Sequence, residues 1–518
     1  MDVPRLRELI TGKVFDSYGR RAGVGLHLVS LPGPYGIGDI GDSALSFIEA
    51  LSDMHIGVWQ FLPTGPTAYG DSPYQPLSAF AGNENLIGVE PLVRAGLISE
   101  IETETLKGLP VDFVDYPKLI PAKSALLARA VDRFSNKVND KLKSSYEEFL
   151  HLHDEHWLDD YALYRILKTR HGERPWPEWD QPYIHRDPDA ISRIRGSSAD
   201  AIERIKFIQF LFDRQWRKLR KRARENNVCL FADMPIYIAL DSADAWAHPE
   251  ILRIDHDGRL AHVSGVPPDY FSEDGQLWGN PLYDWDYHAA NGYQWWIDRL
   301  RHAATMADLV RIDHFRGFEA YWSIPVESTS ARNGAWEHGP GDALFDAMRD
   351  ALGHLPIVAE DLGAITPEVD ALRHRHEIPG MKVLQFDLCE EDFQPIDIEE
   401  NCVCYTGTHD NDTTVGWFRG GDTDKRTMEA VEATQANALH WTGGTANTIH
   451  TDMIRFAFAS KAKFAIAPLQ DYLGLGTEAR LNIPGTTQGN WRWRLQSNQL
   501  TPGLCQSVRA MVHASSRG

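Results

Sequence analysis

Cysteine is scarce in this chain, with five in 518 residues. That is too few for a disulfide framework. Cys402 and Cys404 form a Cys-x-Cys pair, but no matching pair of ligands stands nearby, so they read as buried strand thiols rather than half of a metal site. Long apolar runs are missing too, and none reaches the length that spans a bilayer. The opening residues, Met-Asp-Val-Pro-Arg-Leu-Arg, lack a basic segment followed by an apolar stretch and cleavage site, so no signal peptide is expected and the cytoplasm is the expected compartment. Basic charge is the third shortage. Lys plus Arg number 52 against 73 Asp plus Glu, a net charge of −21. Such a chain repels phosphate backbones and anionic lipid, which argues against nucleic-acid and membrane partners. A neutral small substrate is indifferent to that charge.

What is present is an ordinary globular composition, 43% hydrophobic and 24% charged, with 16 Trp, 17 Tyr and 21 Phe. Most of these rings belong in a core. Several Trp and Tyr, however, sit among Gly, Pro, Asn and Asp in loop-like stretches. A sugar site needs that mixture, because the C–H face of a pyranose stacks on a ring while its hydroxyls need charged or amide partners.

Short apolar runs followed by turn residues predict eight strands, at 24–31, 57–62, 228–237, 309–314, 357–360, 382–388, 402–408 and 463–469. Helical periodicity at 42–52, 201–225, 294–305, 342–352, 368–376, 427–439 and 448–459 separates most of them. Strand–helix alternation with eight strands predicts an α/β fold, a (β/α)8 TIM barrel with large insertions on the C-terminal face. An open doubly wound sheet is the alternative, but Gly33, Gly36, Gly38 and Gly41 do not form the phosphate-binding Gly pattern it would want after the first strand. The expected division is a catalytic barrel over 1–64 and 205–518, an inserted subdomain over 65–204 after the second strand, and a second insertion over 240–290 after the third.

The strand ends carry the chemistry. Arg311 and Asp313 lie two apart near the end of the fourth strand, so alternation puts both on the barrel interior. An ion pair that is merely structural is the plain alternative. Glu360 ends the fifth strand. Thr366-Pro367-Glu368 caps the next helix better than Glu360 does, which leaves Glu360 free of that duty. The seventh strand ends in His409-Asp410-Asn411-Asp412, a turn or metal loop if read alone, although a metal loop would want more oxygen ligands at short alternating spacing. Asp, Glu and Asp at one rim, after strands four, five and seven, form a catalytic constellation for a barrel. Two opposed carboxylates across a sugar are what retaining glycosidic chemistry needs.

Arg311-Ile-Asp313-His-Phe-Arg-Gly317, Ala359-Glu360-Asp-Leu-Gly363 and Gly407-Thr-His409-Asp410-Asn411 closely resemble motifs of the 4-alpha-glucanotransferases, glycoside hydrolase family 77 of the alpha-amylase clan. So do Leu31-Pro-Gly-Pro-Tyr-Gly-Ile-Gly-Asp39, the run from Tyr69 through Tyr74 to Asn83, Gly265-Val-Pro-Pro-Asp269-Tyr270-Phe-Ser272, Gln276-Leu-Trp278-Gly-Asn280-Pro-Leu-Tyr283 and Arg480-Leu-Asn482-Ile-Pro-Gly-Thr486. The resemblance spans most of the chain, except 107–198, which carries no recognisable motif. It implies Asp313 as nucleophile, Glu360 as general acid/base and Asp410 as transition-state stabiliser. It implies sugar-site roles for Tyr74, Asp269, Tyr270, Trp278, Asn280, His314, His409 and Asn482, with Arg311 keeping the nucleophile ionised. The implied activity is retaining transfer of an α-1,4-glucan segment to the 4-hydroxyl of another glucan, with no metal or cofactor, by a monomer or homodimer. An α-glucan hydrolase on the same scaffold is the alternative within this chemistry, and a non-catalytic glucan-binding module the alternative outside it.

Overall fold

The computed structural model describes residues 15–137, 140–268, 274–390, 392–421, 424 and 426–518. Its strands are β1 (Arg21–Gly25), β2 (Val58–Gln60), β3 (Cys229–Met234), β4 (His262–Val266), β5 (Gln276–Pro281), β6 (Leu309–Ile312), β7 (Ala320–Pro325), β8 (Ala335–His338), β9 (Ile357–Ala359), β10 (Gly380–Val383), β11 (Cys402–Tyr405) and β12 (Phe464–Pro468). Eight of them form one parallel sheet in the order β10-β11-β12-β1-β2-β3-β6-β9. The Ala359 N–H donates to the Pro379 carbonyl at 2.8 Å, which brings β9 to β10 and closes the barrel. The barrel expected from the strand–helix alternation is therefore the observed fold.

All eight predicted barrel strands exist, but two are displaced. The first was expected at 24–31 and runs Arg21–Gly25, with Leu28–Ser30 in a 3-10 turn. The sixth was expected at 382–388 and runs Gly380–Val383, after which Leu384–Asp387 is a helical turn. In both, the apolar run continues past the strand into buried backbone, and apolarity alone does not tell one from the other. The sequence reading also missed β4, β5, β7 and β8, which form a separate antiparallel sheet in the order β5-β4-β7-β8. Of their outer strands, β8 is mostly exposed and β5 is partly buried but holds Gly279, Asn280 and Pro281, so neither carries an apolar run to betray it.

Period-two alternation builds the interior from the bottom up. Val58, Cys229, Phe231, Leu309, Val358, Val403, Phe464 and Ile466 pack together inside the barrel. One step further along the same faces come Gln60 after Val58, Asp233 after Phe231, Arg311 after Leu309 and Glu360 after Val358. The apolar plug thus gives way to polar groups toward the C-terminal rim, as in other barrel enzymes.

The loop between β2 and the helices that follow carries Tyr74, and two glutamines hold it down. On the helix Ala199–Glu225, the Gln209 amide accepts from Gly82 N–H at 2.8 Å and donates to Gly82 O at 2.9 Å. Gln215, two turns on, does the same to Gly88 at 2.7 and 3.1 Å. Gly82 has no room for a side chain, since a Cβ there would lie 2.3 Å from the Phe212 ring. Gln209→Ala would leave a buried N–H and C=O without partners. It should lower the unfolding free energy by about 2–4 kcal/mol, read from urea denaturation, with Gln209→Glu recovering less than half of the loss.

Candidate active site

The sequence-predicted carboxylates meet at the C-terminal rim of the barrel. The Asp313 N–H donates to Met234 O at 3.0 Å and the Glu360 N–H to Ile312 O at 3.0 Å, which continues the sheet register through both residues. Arg311 is buried beneath them. Its Nη1 donates to Asp233 Oδ1 and Oδ2 at 2.8 and 2.7 Å, and its Nη2 lies 3.0 Å from Asp313 Oδ1. Asp233 is 1% exposed and Asp313 32%, so one carboxylate is structural in position while the other faces the cleft.

Glu360 is held differently. Its Oε2 accepts from the His314 backbone N–H at 2.7 Å and its Oε1 from Leu362 N–H at 3.1 Å. His314 can present that N–H because it adopts a left-handed conformation, φ 53° and ψ 51°, which is strained for a residue with a Cβ. The His314 ring stands edge-on to Trp278 with centroids 4.8 Å apart, and its buried Nε2 has no hydrogen-bond partner. Burial pushes its pKa down to about 3, so it is neutral at pH 7.

On the other side of the cleft, Tyr74 donates from its hydroxyl to Asp233 Oδ2 at 2.7 Å. With that proton committed, the 2.9 Å contact to His409 Nε2 requires Nε2 to carry the hydrogen and the Tyr74 oxygen to accept it. The two rings lie stacked with centroids 5.2 Å apart, beside Trp491. His409 Nε2 is also 3.3 Å from Asp410 Oδ1, and Asn482 Nδ2 donates to the same oxygen at 2.6 Å. Asn280 is buried, bonded to Ile238 O at 3.1 Å and to Gln75 at 3.3 Å. Asp269 and Tyr270 lie outside the described residues.

Two residues of this constellation escaped the sequence reading. Asp233 was passed over inside an apolar strand. Its signal was a carboxylate in β3 directly beside Arg311 of β6 in the sheet register. Arg480, quoted only as part of a motif, bonds the Asp410 carbonyl at 2.7 Å and the Asn482 carbonyl at 2.8 Å, and so ties the loops after β11 and β12 together. Among the described residues, the group with metal-ligand spacing is Asp255–His256–Asp257, on a surface turn between β3 and β4.

The electrostatics divide the two central carboxyls. Burial raises Asp313 to about 6, opposed by the adjoining Arg311 guanidinium and reinforced by the charges of Asp233 and Asp410. Burial raises Glu360 further, to about 8, with the Asp313 charge adding to it. Asp313 touches the guanidinium, whereas Glu360 has backbone donors only, so Asp313 ionises first. Between the two values the rim holds a carboxylate beside a carboxylic acid, the protonation states that a nucleophile and a proton donor each need.

The sequence matches the 4-alpha-glucanotransferase family over residues 26–501. It is 42% identical to the 4-alpha-glucanotransferase of Thermus thermophilus over 510 residues, 96% of this chain and 99% of that protein. It is 44% identical to that of Synechocystis over 492 residues, covering 94% and 95%. The solved amylomaltase from Streptococcus agalactiae in complex with acarbose superposes with a TM-score of 0.91 at 34% identity, covering 96% of this chain and all of that one. A retaining glycosyl-transferring barrel is the class that this fold defines. The chain belongs to the 4-alpha-glucanotransferases of glycoside hydrolase family 77, and is a transferase rather than a hydrolase.

A reaction that uses both groups should have a bell-shaped dependence of kcat/KM on pH. Protonation of Asp313 removes the nucleophile on the acid side, and ionisation of Glu360 removes the proton donor on the alkaline side. Initial rates between pH 4 and 10 should show limbs bracketing the interval between about 6 and about 8. Activity that stays flat to pH 10 would take Glu360 out of the proton-donor role.

Proposed function

We propose that the enzyme cleaves an α-1,4 bond of a glucan by attack of Asp313 on the anomeric carbon, and then passes the retained segment to the 4-hydroxyl of another glucan. In the first step the Asp313–C1 bond forms, the C1–O4 bond breaks, and the Glu360 proton goes to the departing oxygen. In the second step Glu360, now a carboxylate, takes the proton of the acceptor 4-hydroxyl as that oxygen displaces Asp313. Two inversions give net retention. Asp410, with Asn482 on its Oδ1, meets the positive charge that develops at the ring. The observation that carries this reading is the pair of environments on one rim, a carboxylate on a guanidinium and a buried carboxyl on backbone donors.

The remaining assignments follow from position. Tyr74 offers a ring on the His409 side of the cleft, and Trp278 offers one on the His314 side, which we take as the acceptor side. Residues 65–204 form the inserted subdomain and 240–290 the cover over the cleft in this reading. The partners are maltooligosaccharides and longer α-glucans, and the acidic balance of the chain weighs against nucleic acid. The five unpaired cysteines support a reducing compartment, which we take to be the cytoplasm. Among the described residues, no helix is long and apolar enough to cross a membrane.

The direct test is incubation with maltotriose alone, with products resolved by size. Transfer gives a ladder of longer and shorter chains, while hydrolysis gives rising reducing ends and no longer products. Asp313→Asn and Glu360→Gln should each lose several orders of magnitude in kcat with unchanged thermal unfolding. Near-normal turnover in either variant would remove that residue from the mechanism.

Trp278→Ala tests the acceptor side separately. Stacking one sugar on one ring is worth on the order of 1 kcal/mol. Its loss should lower acceptor occupancy more than ester formation, so the ratio of glucose transferred to new reducing ends should fall several-fold. An unchanged ratio would reduce Trp278 to a ring that pins β5 onto the barrel.

A further inference from the structure

The described residues enclose a second recess that the mechanism does not use. Its volume is about 400 Å³, within the roughly 300–1,000 Å³ typical of small-molecule sites. It lies between the helix Gln294–Met306 on the barrel wall, the helix Ala243–Ala247, and the turn Asp154–Leu158 of the segment between β2 and β3. None of Asp233, Arg311, Asp313, Glu360, His409 and Asp410 lines it. The loop that carries Tyr74 runs between the two sites, since it also supplies Ser78 and Phe80 to the recess.

Local structure at its rim is unusual. Asp154–Leu158 is a single π-helical turn between two α-helices. An α-helix spreads three consecutive residues over about 200° of its circumference. Here Glu155, His156 and Trp157 all line the recess. Such widened turns are rare, and they concentrate at functional sites.

The lining chemistry is that of a sugar site. Trp157 stands on the segment between β2 and β3, Tyr287 on the helix Trp285–Ala290, and Trp295 on the helix Gln294–Met306 of the barrel wall. The Trp295 indole N–H is shut off from solvent and has no acceptor among the described residues. Glu155, Asp160, Glu250 and Asp298 supply carboxylate acceptors. Arg301, the one guanidinium among the described lining residues, is paired with Asp298. Burial holds His153, His288 and His302 neutral; His248, raised by its bond to Glu250, offsets that acid, and Asp160 pairs with Arg186, yet the lining carboxylates still outnumber the lining cations. The field of the recess therefore rejects phosphorylated and carboxylated ligands. It suits a neutral polyhydroxy ligand with ring faces to stack and many hydroxyls to donate.

We propose that this recess is a second α-glucan-binding site, which holds a distant stretch of a chain while another stretch occupies the catalytic cleft. The inference rests on the reading of the enzyme as acting on α-glucans. A long chain engaged at both places gains from the second contact by effective concentration, and a trisaccharide, too short to span both, does not.

The test compares amylose with maltotriose. Two kinds of variant change the recess: the double substitution Trp157→Ala/Tyr287→Ala strips its rings, and Ala247→Phe fills it. Both should raise KM for amylose about tenfold and leave kcat and KM for maltotriose within twofold of the unaltered enzyme. Both should also migrate faster than the unaltered enzyme through a native gel containing amylose. An amylose KM within twofold in both variants would overturn the proposal. So would an equal loss on both substrates in both variants, since the recess would then support the fold rather than a chain. Failure of the unaltered enzyme to elongate maltotriose would instead overturn the functional reading on which the proposal rests.

Discussion

Arg311 sits at the top of the barrel with one nitrogen on Asp233 and another against Asp313. Desolvating a guanidinium is unfavourable, and desolvating two carboxylates beside it is more so, unless they pair. The pairing works in both directions. The two acids hold the cation in place, and the cation keeps Asp313 ionisable where burial and the charges of Asp233 and Asp410 would otherwise drive it neutral. Asp233 is then freed of excess charge and can also accept from Tyr74. From Tyr74 a hydrogen bond leads to His409, whose Nε2 lies 3.3 Å from the Asp410 oxygen that Asn482 holds. The segments after β2, β11 and β12 are thereby fixed to the barrel through one buried charge.

The barrel makes this possible because alternation is strict inside it. Each strand that contributes a rim group contributes an apolar residue two positions earlier, such as Phe231 below Asp233 and Leu309 below Arg311. The apolar layer excludes water from beneath the ion pair and lowers the local dielectric. Low dielectric strengthens the Arg311 contacts and raises the Glu360 carboxyl in the same stroke. Glu360 and Asp313 thus obtain different affinities for a proton from one scaffold, by the distance or contact of one cation.

Much of this is legible in the chain. Apolar runs with turn residues after them mark the eight barrel strands, and a carboxylate at the end of a run marks Asp313 and Glu360. Asp233 is less visible because it lies inside its run, where a buried acid has the same outline as an error in the strand boundary. Only the pairing of β3 with β6 puts it opposite Arg311, and register between strands more than seventy residues apart is not written in either strand. The antiparallel sheet of β4, β5, β7 and β8 escapes for another reason. The outer strands β5 and β8 lack an apolar run, and the order of the sheet depends on contacts between β4 and β7 across the whole of β6. His314 escapes in conformation though not in identity, since nothing in its own side chain announces the left-handed backbone with which its N–H meets Glu360.

The division of labour between barrel and loops bears on why transfer prevails over hydrolysis. Asp313 and Glu360 sit at the ends of strands fixed by sheet hydrogen bonds on both sides, which suits the bond-breaking roles proposed for them. The choice between a sugar hydroxyl and water as acceptor depends on what occupies the space beside Glu360 once the first product has left. There the protein offers the Trp278 ring and the neutral, unpartnered His314 imidazole, an apolar face with one polar atom. Water gains little from such a surface, while a sugar gains both a stacking face and a partner for a hydroxyl. Selectivity for the acceptor then needs no group that discriminates against water directly. On the proposed acceptor side it would follow from an unpaired buried imidazole nitrogen that a ring able to stack reaches more favourably than water does.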